Sequence, residues 1–126
     1  MRYFLLVYLF SFQIEASELI TSLSTKVDSI RDTSNKTTYM NFVSELQREA
    51  RALKSKSKGD REFYFLYDFD KSLDIVLRLK KFNVDECYRA KIEHFSAYGV
   101  RSDNFKRSDL PDGAKLSYDI LLKLCQ

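Results

Sequence analysis

Proline occurs once and glycine three times in 126 residues, too few turn formers for a fold of many short strands. Two cysteines and a single histidine exclude a multi-disulfide framework. With no Cys-X-X-Cys spacing they also argue against zinc, and no metal centre or cofactor is expected. No Gly-X-Ser-X-Gly nucleophile elbow is present. Charge of one sign is lacking too: 21 Lys and Arg face 18 Asp and Glu, for a net charge of +3. A nucleic-acid binder is usually more strongly and asymmetrically basic, so no nucleic-acid partner is expected. The length suits one domain.

What is present begins at the N-terminus. Arg2 supplies a basic start, Tyr3 to Phe12 form an apolar run of ten residues, and Gln13-Ile14-Glu15-Ala16 ends in a small residue suited to cleavage. This pattern predicts a signal peptide over 1–16, followed by a single secreted domain over 17–126. The alternative is a buried N-terminal strand or helix. The run falls short of the roughly 20 residues that span a bilayer. No other segment is long and apolar enough, so no stable membrane insertion is expected.

Secretion changes the meaning of Cys87 and Cys125. In an oxidising compartment the pair is expected to form one disulfide rather than two buried thiols. Closing a loop of that length stabilises by about 4 kcal/mol in the chain-entropy model. Asn35-Lys36-Thr37 is an N-glycosylation sequon, which makes Asn35 a candidate glycan site on a surface loop.

Apolar periodicity marks five helical segments. The first, Ser17 to Arg31, carries a narrow stripe of Ile20, Leu23, Val27 and Ile30 and belongs on the outside of a bundle. The second, Thr38 to Lys54, carries Tyr39, Phe42, Val43, Leu46, Ala50 and Leu53, and ends in alternating Lys and Ser before Gly59. The third, Asp60 to Phe82, has the widest apolar arc. Phe65, Leu66, Phe69, Leu73, Val76, Leu77 and Leu79 are joined by Tyr64, Ile75 and Phe82, and Asp70, Lys71, Asp74, Arg78 and Lys81 form its solvated face. That breadth makes it the central helix. Asn83 with Glu86 starts a fourth helix with Val84, Cys87, Tyr88, Ile92 and Phe95 on one face, and Gly99 ends it. A long loop over 100–113 leads to a last helix, Ala114 to Cys125, buried on most sides by Leu116, Ile120, Leu121, Leu122 and Leu124. The expected fold is an all-α antiparallel bundle of four to five helices.

Few groups here could carry chemistry. Tyr67 to Asp74 is acidic, but leucines at the glycine and carboxylate positions of a calcium loop break the match. Asp68 falls inside the apolar arc of the third helix, where a carboxylate must be paired or have its pKa raised. It is a candidate ligand-orienting group or acid, or else a carboxylate at the arc's edge or paired across helices. His94 sits at the margin of the fourth helix's apolar face. The basic stretch Arg48 to Arg61 could meet an anionic glycan or membrane surface, or simply be a solvated helix end. Ten Phe and eight Tyr leave thirteen aromatics once the leader's five are removed. Phe63 and Tyr67 lie off the main arc and are candidates for an interaction patch. The expected activity is non-enzymatic binding of a protein partner by a helix face. The alternatives are a carrier holding a small apolar ligand between helices and an enzyme using Asp68 or His94.

Overall fold

The computed structural model describes residues 18–29, 34–101 and 105–126; the segment expected to be a signal peptide, 1–16, lies outside them. The described residues form five helices. α1 covers 18–29, α2 Lys36–Lys56, α3 Asp60–Leu77, α4 Val84–Ser96 and α5 Asp112–Leu124, with a 3₁₀ turn at Arg107–Asp109 ahead of α5.

Local chemistry sets the helix ends. The Asn35 side chain accepts a hydrogen bond from the Thr38 N–H at 3.1 Å, and Asn83 caps α4 by accepting from the Glu86 N–H at 2.8 Å. Past α4, Gly99 adopts φ 76°, a left-handed conformation that costs glycine little. The N–H groups of Val100 and Gly99 then reach back to the carbonyls of Phe95 and Ser96 at 3.0 and 3.1 Å, satisfying two orphan acceptors of the last turn.

Consecutive helices run antiparallel. Lys26 on α1 pairs with Glu49 on α2 at 2.6 Å. Between α2 and α3, Lys54 lies over Tyr67, Arg51 bonds Asp70 and Gln47 bonds Asp74, an opposed register along the whole seam. Cys87 and Cys125 form the expected disulfide, with Cα atoms 6.0 Å apart, and His94 meets Ser117 further along the same α4–α5 seam. The central pair, α3 and α5, is parallel. Gly113 at the start of α5 lies against Phe65 and Phe69. Near the other end of both helices, Lys36 donates to the Leu124 carbonyl at 2.8 Å and lies over the Phe82 ring. α3 is the centre of the domain, packed against α2, α4 and α5. Its Leu66, Phe69, Leu73 and Val76 are fully buried with Phe95, Ile120 and Leu121 around them.

Several positions differ from the periodic expectation. α3 stops at Leu77, not Phe82. The Arg78 and Leu79 N–H groups close back on Asp74 and Val76, and the chain needs the next residues to reverse toward the extended Asn83 cap. Asp70, expected in solvent, is buried because Arg51 and Lys54 from α2 fold over it at 2.9 and 3.0 Å. Tyr64 and Leu122, expected in the core, are exposed. α4 is rotated from expectation: Ala90, His94 and Phe95 face inward, while Val84, Tyr88 and Ile92 are exposed. The bridge at Cys87 and the His94–Ser117 contact fix that rotation.

Three substitutions test this packing. A Cβ at Gly113 would collide with the Phe65 carbonyl oxygen and come within 2.8 Å of the Phe69 nitrogen. Both obstacles are backbone and cannot swing aside, so Gly113→Ala should destabilise by about 1–3 kcal/mol in urea unfolding. Gly59→Ala, where a Cβ meets nothing within 4 Å, should cost no more than about 1 kcal/mol, the disadvantage of alanine against glycine at the N-cap of α3. The Tyr39 hydroxyl is buried without a hydrogen-bond partner among the described residues, and burial pushes its pKa up to about 12. Removing an unpartnered buried group relieves its desolvation, so Tyr39→Phe should unfold at the same or a higher urea concentration. A loss above about 1 kcal/mol would reveal a bond to that hydroxyl.

Candidate interaction surface

The first turns of α3 carry an aromatic cluster on the helix side that faces away from the core. Phe63 and Tyr67, one turn apart, stack with ring centroids 6.2 Å apart at 24°. Tyr64 meets Phe63 edge-on at 5.7 Å. Their exposures are 38 %, 43 % and 62 % for Phe63, Tyr67 and Tyr64, high for side chains of this size. The Lys54 and Lys71 ammonium groups lie 5.5 and 6.0 Å from the Tyr67 ring centre, within cation–π range. Lys54 is held there because it also binds Asp70. The ion pairs of Arg51 and Lys54 with Asp70 therefore offset part of the positive charge in the Arg48 to Arg61 stretch. Lys56, Lys58 and Arg61 remain exposed.

Beside the cluster lies an open cleft of about 240 Å³, bordered by Ile20 of α1, Arg61, Tyr64 and Asp68 of α3, and the α5 start at Asp112 and Gly113. Ligand pockets usually hold 300 Å³ or more and enclose most of the ligand. Of the aromatic side chains on α3, Phe65 and Phe69 are packed into the core. Asp68 is half-buried at the cleft wall, and the Tyr98 hydroxyl donates to its backbone carbonyl at 3.3 Å. Burial pushes the Asp68 carboxyl above its ordinary value, opposed by the Tyr98 hydroxyl and the Lys71 ammonium. The cross-helix cations go instead to Asp70, one carboxylate further along.

His94 is not marginal but fully buried. Its Nδ1 lies 2.9 Å from the Ala90 carbonyl and its Nε2 2.9 Å from Ser117 Oγ. A carbonyl only accepts, so Nδ1 carries the proton and the Ser117 hydroxyl donates to Nε2. Serine donating to an oriented imidazole is the arrangement that activates a nucleophile, but here both side chains have 0 % exposure. With that seal a substrate carbonyl has no path to Oγ, and the pair instead joins α4 to α5 through the core. No sequence motif marks Ser117, although a serine amid the apolar positions of the last helix is itself a sign of a buried polar partner. Asn35, the sequon residue, is exposed at the α2 cap. Among the described residues no three His, Cys, Asp or Glu side chains come together as a metal site, and no helix is long and apolar enough to cross a membrane.

The buried imidazole makes stability depend on pH. Burial lowers the His94 pKa, against the Ala90 carbonyl and the Glu93 carboxylate, which favour the proton. The unfolded chain takes up that proton near pH 6.5, whereas the folded chain resists it. The unfolded state therefore binds more protons below that value, so stability should fall as pH drops from about 6.5 toward the lower folded-state pKa and level off beneath it. His94 is the sole histidine, so His94→Gln should abolish this slope between about pH 7.5 and 5.5, whatever it costs in absolute stability. A slope that survives in the variant would refute a neutral buried imidazole.

Compared with known proteins, the chain matches no protein-family model, no curated protein and no solved structure.

Proposed function

We propose that this chain is a secreted, non-enzymatic protein that acts by binding another protein through the aromatic face of α3. The observation that carries the reading is the Phe63–Tyr64–Tyr67 cluster: three solvent-facing rings, with Tyr64 and Tyr67 each packed on Phe63, on the helix whose other side is the centre of the core. Large rings on a rigid helix supply contact area at low entropic cost, and Tyr is enriched at protein interfaces. An all-helical domain with one disulfide and no metal cluster among its described residues suits a binding role. In this reading the first sixteen residues are removed on export and Asn35, exposed at its helix cap, carries a glycan.

The test is affinity capture from the extracellular fluid of the source, with wild type and the Phe63→Ala/Tyr67→Ala double variant as baits. Truncating two ring anchors should weaken binding of a specific partner at least tenfold, about 1.4 kcal/mol or more. Because both rings are half-exposed, thermal unfolding should shift little. Identical capture by both baits would remove the site assignment. N-terminal sequencing of the native protein should begin at Ser17, and glycosidase treatment should lower its mass. A native chain that retains Met1 would overturn the secretion reading.

A further inference from the structure

α4 has two apolar faces, and only one is used within the domain. The inner face is short, with Ala90, His94 and Phe95 buried. The outer face consists of Val84, Tyr88 and Ile92, four residues apart in a single row, with exposures of 84 %, 58 % and 36 %. Monomers tolerate scattered exposed apolar side chains, but a contiguous row marks a surface that meets something.

The row extends onto α5. Cys87 and His94 point at α5, and Cys125 and Ser117 point back. Tyr88 of the row follows the α5-facing Cys87 by one residue, as the buried Phe95 follows His94. On α5, Tyr118 likewise follows Ser117, and Leu122 lies one turn beyond Tyr118. Two antiparallel right-handed helices turn to the same side for the same one-residue advance. The edge-on contact of Phe95 with Tyr118 at 5.3 Å shows that they do. Leu122, 45 % exposed, therefore joins Val84, Tyr88 and Ile92 in one surface. Phe105 of the connecting loop stacks on Phe95 at 4.8 Å and closes the far end. Toward Val84 the apolar seam runs out into solvent.

We propose that a second copy of this chain covers that surface, the two α4 helices packing antiparallel about a twofold axis at Tyr88. The pattern is self-complementary under that one operation. Val84 and Ile92 stand one turn to either side of Tyr88, so each Val84 meets the other copy's Ile92 and Tyr88 meets Tyr88. Asp85 and Arg89, both exposed, flank the row on the same side. A twofold keeps that flank of the two copies together, which brings Asp85 of each chain toward Arg89 of the other. Among the described residues Arg89 is held in its own chain only by an exposed pair with Glu86 at 2.7 Å, a contact weak enough to exchange. A closed, isologous contact of this kind is the commonest route to a homo-oligomer. The small apolar area makes it a concentration-dependent dimer rather than an obligate one.

Sedimentation velocity on the oxidised protein between about 1 μM and 1 mM should show monomers passing to dimers. Asp85→Arg and Arg89→Asp, each alone, should weaken dimerisation at least tenfold. The double variant should restore it, because the same two pairs re-form with their signs exchanged. Tyr88→Glu should leave monomers at every concentration. A wild type that stays monomeric throughout, or a dimer indifferent to the single reversals or not restored in the double variant, would overturn the proposal. The Phe63→Ala/Tyr67→Ala variant should dimerise as wild type does, so this pairing stands or falls separately from the α3 reading.

Discussion

Where Gly113 meets the carbonyl of Phe65 and the nitrogen of Phe69, α5 and α3 touch backbone to backbone. No side chain fits between them there. The approach draws the two most apolar helices into a parallel pair, and the remaining helices are arranged around that pair. α1 and α2 close one side, with Lys123 of α5 donating to the Val27 carbonyl and Lys36 of α2 to the Leu124 carbonyl. α4 closes another. A parallel pair cannot be joined by a short turn, so the chain must cross the domain between α3 and α5, and α4 with its long loop is that crossing. Arg107 then pins the loop to α5 with a two-pronged ion pair to Asp119, both contacts at 2.8 Å.

Two polar knots hold the helices in register. At Asp70, a buried carboxylate accepts from Arg51 and Lys54, and Gln47 bonds both its backbone carbonyl and the Asp74 side chain. At His94, an imidazole and a hydroxyl satisfy each other inside the core. Each buried group would be costly without its partner, and each partner comes from a different helix. Sliding α2 by a turn, or rotating α4, would leave a charge or a ring nitrogen unmatched. Apolar packing alone tolerates such slips more readily.

The helices, their caps at Asn83 and Gly99, the central place of α3 and the disulfide were all legible in the sequence, because each depends on neighbours a few residues apart or on simple pairing. Periodicity fixes angles within a helix but not which arc turns inward when two arcs are apolar. For that reason α4 was read with Val84, Tyr88 and Ile92 toward the core. Asp70 falls on the solvated face by angle for a related reason: its partners Arg51 and Lys54 lie on α2, outside any local window. Asp68, at the cleft wall, keeps only a half-buried position, where burial raises its carboxyl against the Tyr98 hydroxyl and the Lys71 ammonium. Helix angle alone separates the rings of Phe63 and Tyr67 from the core, but it places Tyr64 on the apolar arc, whereas the folded chain leaves that ring exposed beside an open cleft. The His94–Ser117 pair needed the α4–α5 register, which only the folded chain supplies.

The rotation of α4 also sets where the native state opens first. α4 buries fewer side chains than α3 or α5, so although lifting it breaks the His94–Ser117 bond and uncovers Phe95, it should cost less than opening either of them. Its central amides should therefore trade hydrogen with solvent through a partial opening rather than through global unfolding. The bridge at Cys87 keeps the freed helix anchored at its first turn throughout such an excursion.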